Sequence, residues 1–306
     1  MGYSTRNCYK GILNKHVLPQ IGMMRLRDVR MVDVQKVMNS LQGMSRSTIS
    51  TANSTLGQLF KTAVQNQLIP INPATELTVP AGTKGTHRAL TRDEIALLAQ
   101  NWQRHRSGIW AMIMLFSGLR RGEALALTWA DVDLLDNVID VNKAVQFESN
   151  RPKIGPTKTR SSIRKIPLAP LLRNALIDYK AQSNNDLLCV SANNDLLSER
   201  GFDRGWDGLL LAMTRITNGL PAEISPGKKI KLPEGSTMVD WKSHDMRHTF
   251  ATMLFDAGVD VKTAQAYLGH ETVDITMGIY THLSEQKEMQ SRALFDSYMN
   301  PQNLLG

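Results

Sequence analysis

The hydrophobic period of this chain changes twice. Apolar residues recur at helical spacing up to about residue 130. From Asp131 to about Leu168, in DVDLLDNVIDVNKAVQF and SIRKIPL, they alternate in short runs rich in β-branched residues, and beyond that the helical spacing returns. So brief a stretch of alternation predicts a small antiparallel sheet inside a mainly helical protein, an α+β fold, with Gly155-Pro156 in or near one of the sheet's loops.

The segment before the first change is helical throughout. Val32, Val37, Met38 and Leu41 share one helical face, Ser47 and Thr48 precede a second run holding Leu56, Leu59, Phe60, Ala63 and Val64, and Pro19 with Gly22 punctuates an earlier helix. The stretch PINPATELTVPAGTKGTH has the proline and glycine content of a linker near residues 70–87. Thr91 and Glu94 then form a capping box that opens a new domain. The expected organisation is a helical domain over 1–85 and a second domain over 86–306, ending in a tail over 284–306.

At 306 residues, 42% hydrophobic and 21% charged, the chain is long enough for two cores. Its longest apolar run, IWAMIMLFSGL from Ile109, is too short to span a bilayer, and MGYSTRNCYK lacks the apolar centre of a signal peptide. Cys8 and Cys189 are too few for a disulfide framework and are expected to be packing residues, so the expected compartment is the cytoplasm, with no membrane contact. Charge is more telling. Residues 1–87 carry ten Lys and Arg against three acids, a net +7 out of the chain's +8, which is how a module that grips a polyanion looks. Nucleic acid is favoured over a membrane surface because no amphipathic basic helix with Trp or Phe accompanies the charge.

Residues 244 to 280 read HDMRHTFATMLFDAGVDVKTAQAYLGHETVDITMGIY. His244 and His248 have the four-residue spacing of a zinc pair on a helix, but the glutamate a zincin needs is missing and Arg247 between them would repel the metal. Neither a metal nor another cofactor is expected. Taken in order, Arg120, Lys158, His244, Arg247, His270 and Tyr280 form a different set. Two arginines present forked donors to non-bridging phosphate oxygens, histidines add hydrogen bonds, a lysine delivers a proton and a tyrosine supplies an oxygen nucleophile. A phosphodiester is the guest that set fits. Arg121 is expected to be a solvated helix residue, Tyr267 and Tyr298 packing groups, and Trp110, Trp129, Trp206 and Trp241 core or domain-surface residues.

SGLRRGEALAL, TKTRSSIRKIPL, HDMRHTFATML and LGHETVDITMGIYTHL resemble the successive motifs of the tyrosine recombinases, the phage-type integrases, in that family's order. KHVLPQIGMMRLRDVRMVDVQKVM and LFKTAVQNQLIPINPA resemble the family's core-binding domain, in the form found in integrases of prophages and conjugative transposons. The resemblance implies that Arg120 and Arg247 bind the phosphate, His270 adds a second contact, and His244 assists proton transfer at the nucleophile Tyr280. It implies that Lys158 protonates the leaving 5′ oxygen, with Lys153 and Lys165 as competitors, and that Glu123 supports the arginines. Lys10, Lys15, Arg25, Arg27, Arg46, Lys61 and Lys84, with Arg160, are the candidate DNA-backbone contacts.

A site-specific DNA recombinase is therefore expected. It would integrate or excise a mobile element through a 3′-phosphotyrosyl intermediate and a four-way junction, on double-stranded DNA clamped between the two domains. Its partners would be three further copies in a tetramer, with an excisionase or a host DNA-bending protein as accessory. The tail, with Leu294, Phe295 and Met299, is expected to pack on a neighbouring protomer, and an arm-binding domain often precedes the core-binding domain in such integrases. The rival functions are DNA relaxation of the type IB topoisomerase kind and DNA binding without catalysis.

Overall fold

A computed structural model describes residues 2–83, 85, 88–157, 160–223 and 232–298, with backbone alone at 4, 160, 282, 286, 287, 290, 291 and 293–298. The chain divides into two compact units, Met1–Thr86 and His87–Gly306.

The first unit is all helix. α1 (Tyr3–Ile12) runs through one π-helical turn (Leu13–Val17) into α2 (Leu18–Ile21), followed by α3 (Met31–Asn39) and α4 (Arg46–Gln65). Pro19, expected to interrupt a helix, lies inside one. Its missing N–H is absorbed where the helix has already widened into the π turn. α4 starts earlier than Ser47 suggested, because Ser45 is the cap, its hydroxyl accepting from the backbone N–H of Thr48 at 3.1 Å. The buried face of α3 is Val34, Val37 and Met38, joined by Leu41, Ile49, Ala52, Leu56 and Phe60, while Val32 is exposed.

The second unit is built around α6 (Gly108–Ser117), whose ten residues are all buried. α5 (Arg92–Asn101), α7 (Arg121–Ala126), α8 (Pro170–Lys180) and α10 (Ser243–Asp256) pack on it. Trp110 of α6 stacks on Phe202 of α9 (Glu199–Thr217) at 5.8 Å, Phe202 stacks on Trp206 at 5.6 Å, and the Trp206 indole donates to the Trp241 carbonyl at 2.8 Å. Trp129 is only partly buried, beside Tyr179. Arg121 is not a solvated residue: it reaches Glu199 at 3.0 Å and Asp203 at 3.4 Å and lies over the rings of Phe147 and Phe202. Cys189 is buried, its thiol pushed up by burial, whereas Cys8 is exposed rather than packed.

The strands form two small antiparallel sheets. β1 (Val132–Asp133), β2 (Val138–Val141) and β5 (Arg164–Pro167) make one, in the order β1-β2-β5, and β3 (Lys143–Glu148) pairs with β4 (Arg151–Pro156) in the other. Gly155 and Pro156 lie within β4, opposite Ala144 and Lys143, and not in a loop; a proline is tolerated there because β4 has one partner strand and a free edge. Ser149 and Asn150 close the β3–β4 hairpin with φ of 51° and 66°, the twist a two-residue hairpin loop requires. Along β5, Arg164 and Ile166 point inward and Lys165 and Pro167 outward.

After α10, Gly258 turns the chain at φ 75°, and Asp260 caps α11 (Val261–Leu268) by accepting from the N–H groups of Lys262 and Thr263. α12 (Val273–Tyr298) then runs unbroken for 26 residues, so positions 284 to 298 of the expected tail continue the helix that carries Tyr280. Met299 and the side chains of Leu294 and Phe295 lie outside the described residues. No helix among the described residues is long and apolar enough to cross a membrane.

α6 ends at Gly118, in the left-handed conformation with φ 63°, where a β-carbon would stand 2.3 Å from Cδ1 of Phe250 on α10. Gly118→Ala therefore combines left-handed strain with overpacking, and should cost about 2–4 kcal/mol in urea unfolding of the second unit. Phe250→Leu in the same chain should return part of that loss.

Candidate active site

α11 ends with three backbone carbonyls that no further helical turn can satisfy, and each accepts from a different arginine. The Tyr267 carbonyl takes Nε of Arg164 at 2.7 Å, that of Leu268 takes Nη2 of Arg247 at 2.5 Å, and that of Gly269 takes Nη2 of Arg120 at 2.9 Å. The negative end of the helix dipole favours cations at this place. Gly269 leaves the helix at φ 63°, and a β-carbon there would lie 3.0 Å from Arg164, so the turn and the arginine share one space.

The three arginines come from three other elements. Arg120 stands at the start of α7, Arg164 on the inward face of β5 and Arg247 in α10. Arg247 also donates to the Gly118 carbonyl at 2.7 Å, so the C-termini of both α6 and α11 hold it. Glu123, 4% exposed, ties the other two together. It accepts from the Arg120 backbone N–H and Nη1, both at 2.9 Å, and from Arg164 Nη2 at 2.9 Å and Nη1 at 3.2 Å. Burial opposes the charge of Glu123, but the Arg164 hydrogen bonds and charge, with those of Arg120, outweigh it and hold the carboxyl below its ordinary value. With one carboxylate against three guanidiniums, the site keeps a net positive charge. Burial, with the charges of Arg120 and Arg164, pushes Arg247 down to about 9 despite the opposing pull of Glu123, leaving it charged at neutral pH.

Beside the cluster stands His270, 9% exposed, with Nδ1 2.8 Å from the hydroxyl oxygen of Thr276. Burial lowers its pKa to about 4, helped by the charges of Arg247, Arg120, Arg164 and His244. It is neutral at physiological pH, a hydrogen-bonding group and not a third kind of cation. His244, exposed at the second position of α10, is near enough for its charge to act on His270.

Tyr280 sits in the second turn of α12, 7% exposed, its ring edge-on to Phe255 at 5.1 Å. Its hydroxyl donates to the Val259 carbonyl at 3.1 Å, and burial, with the nearby charge of Asp260, raises its pKa. The phenol is thus protonated, and its proton is engaged at the α10–α11 turn.

Arg120, Glu123, Arg247 and His270 are therefore brought together, with His244 beside them. Lys158 lies outside the described residues, between β4 and β5; of its competitors, Lys153 is exposed on β4 and Lys165 faces outward on β5. Lys10 on α1, Lys15 on the π turn, Arg25 and Arg27 around the following 3-10 turn, and Arg46 and Lys61 on α4 are all exposed in the first unit. Lys84 and the side chain of Arg160 are outside the described residues. Among the described residues, no group of three His, Cys, Asp or Glu is placed to hold a metal ion. Arg164 was not among the residues singled out from the sequence, although it lies within TKTRSSIRKIPL. The signal was its strand phase, two residues before the buried Ile166 and on the same face.

The chain resembles known proteins over most of its length. The profile of the phage integrase family matches residues 88–287, and that of the phage integrase N-terminal SAM-like domain matches residues 1–42. A tyrosine recombinase XerC-like protein of Caldanaerobacter subterraneus subsp. tengcongensis is 27% identical, over 90% of this chain and 73% of its own length. The ICEBs1 integrase of Bacillus subtilis is 24% identical over 92% of this chain and 75% of its own. Among solved structures, the Tn1549 transposon integrase in complex with a circular intermediate DNA shares the fold with a TM-score of 0.73, at 22% identity over 95% of this chain and 94% of that one. A lambda integrase dimer bound to a core site gives 0.61, at 18% identity over 92% and 72%.

The depressed histidine has a measurable consequence. Folded His270 takes its second proton only near pH 4, whereas an unfolded histidine does so near 6.5, so between these values the unfolded chain binds more protons. Stability should therefore fall as pH is lowered from about 6.5 towards 4, and Glu123, held below its ordinary 4.5, should add to the loss at still lower pH. Urea midpoints across this window should fall less steeply in His270→Gln than in the unaltered chain.

Proposed function

We propose that this chain, which belongs to the phage integrase family and is a tyrosine recombinase, cuts and rejoins duplex DNA through a phosphotyrosyl bond at Tyr280 and so integrates or excises a mobile element. The observation that carries the reading is the convergence of Arg120, Arg247 and a neutral His270 at the end of α11, a net positive cradle for one phosphodiester. In the reaction the Tyr280 oxygen leaves the Val259 carbonyl and attacks phosphorus, its proton passing to His244. The arginines and His270 stabilise the charge that develops on the non-bridging oxygens. The bond from phosphorus to the 5′ oxygen breaks with its electron pair on that oxygen, which takes a proton from Lys158. The product is a 3′-phosphotyrosine with a free 5′-hydroxyl, and the 5′-hydroxyl of a second duplex reverses the step.

Two such exchanges pass through a four-way junction and occupy four protomers. The mobile-element role is supported by relatives named as a transposon integrase, held on a circular intermediate DNA, and as the ICEBs1 integrase. The net +7 of residues 1–87 supplies the non-specific grip on the DNA backbone, and an excisionase or a host DNA-bending protein fits as the accessory that sets direction.

Tyr280→Phe removes one oxygen and should abolish the denaturation-resistant protein–DNA adduct while leaving duplex affinity within about twofold, since the phenol adds at most one modest hydrogen bond to binding. An adduct that survives would move the nucleophile to Tyr267 or Tyr298. Sequencing the trapped DNA would give the target site.

Lys158→Ala should be severely slow on ordinary DNA and largely rescued when the 5′-bridging oxygen is replaced by sulfur, because a thiol's pKa lies roughly seven units below that of water and a thiolate departs without a proton. Arg120→Ala and Arg247→Ala should not be rescued, since their groups act on the non-bridging oxygens. Rescue of Lys153→Ala or Lys165→Ala instead would reassign the acid.

A further inference from the structure

Thr276 occupies the first turn of α12 and is fully buried, its hydroxyl 2.8 Å from Nδ1 of His270. The hydroxyls of Thr51, Thr55 and Thr252, inside other helices, donate to the carbonyl four residues earlier, which is the usual resting place of a helical threonine's proton. Thr276 is turned instead towards a ring six residues back, across the bend at Glu271 and Thr272. A neutral imidazole carries one proton, and the bond made at one nitrogen decides which nitrogen holds it. If Nδ1 donated to Thr276, Nε2 would present a lone pair to an anionic phosphate, which has no proton to give. If Thr276 donates, Nε2 keeps the proton and becomes a donor.

Thr276 also stands four residues before Tyr280, on the same face of one helix. A single bond therefore joins the group that faces the phosphate to the first turn of the helix that carries the nucleophile.

We propose that Thr276 is a positioning residue that holds His270 as the Nε2–H tautomer by donating to Nδ1, and that this bond fixes the start of α12 relative to the phosphate cradle. The functional half of the proposal rests on the reading of the site as a phosphotyrosyl-forming one; the tautomer half does not.

The test has two arms on the full chain. Long-range proton–nitrogen correlation on histidine-labelled protein, with His270 assigned by its loss in His270→Ala, should show a bare Nδ1 and a protonated Nε2. Thr276→Ser should keep that pattern, and Thr276→Val, nearly the same shape without the hydroxyl, should lose it. A protonated Nδ1 in the unaltered chain, or a pattern unchanged in Thr276→Val, would overturn the proposal. In the second arm, adduct formation is followed in single turnover on a nicked duplex. Thr276→Val should slow it about tenfold, the effect of one well-made hydrogen bond, and Thr276→Ser should stay within about threefold. In a His270→Ala background, Thr276→Val should slow it no further; a full additional loss would mean that Thr276 acts by packing alone. If the unaltered chain forms no adduct, the recombinase site reading falls, and the nitrogen spectra still decide the tautomer. If Thr276→Val does not fold, the unaltered chain and Thr276→Ser decide it.

Discussion

Three consecutive carbonyls at the end of one short helix, each bonded to a guanidinium from a different element, are the contact on which the second unit's chemistry depends. Guanidiniums gathered this closely repel one another, and burial removes the water that would screen them. The end of α11 answers both difficulties at once, through fixed dipoles that need no reorganisation and through hydrogen bonds that set the direction of each fork. Glu123 supplies a full negative charge in direct contact, bonded to Arg120 and Arg164. The remaining positive charge is what an incoming phosphate would meet. α7, β5 and α10 are each tied to α11 by that contact, so the site and the packing of the unit are one arrangement.

The same economy separates the roles of the polar groups. The arginines are charged and anchored by backbone carbonyls and by Glu123, while His270 is neutral and directional. An imidazolium charge at His270 would have added to the repulsion, whereas a neutral ring contributes a donor without that cost. Tyr280 stands apart from this division, since its hydroxyl is spoken for by the Val259 carbonyl and its acidity is weakened by burial and by Asp260.

Much of this was legible in the sequence, and for identifiable reasons. Arg120, Glu123 and His270 carry signals that do not depend on tertiary context: a glycine just before a helix, an acid three residues after an arginine, and a glycine closing a helix just before a histidine; Arg247 stood out by its place in HDMRHTFATML. The capping box at Thr91 and Glu94 is equally local, and both of its bonds form. What could not be read were properties conferred by distant partners. Arg121 is held by two acids and two rings from α9 and β3, which lie far along the chain. Gly155-Pro156 resembles a loop by composition and is a strand only because Lys143 and Ala144 pair with it. Arg164 was hidden among five other basic residues between 151 and 165, although its phase within β5 already placed it inside.

The unbroken length of α12 has a mechanical consequence. At 1.5 Å per residue its 26 residues make a rod about 39 Å long, bonded near one end to His270 through Thr276. Measured from that bond, Tyr280 lies about 6 Å along the rod and Tyr298 about 33 Å. The helix packs on α10 and α11, so the Tyr280 hydroxyl is held at the Val259 carbonyl by that packing as well as by its own bond, while Tyr298 ends the same rod about 27 Å farther on.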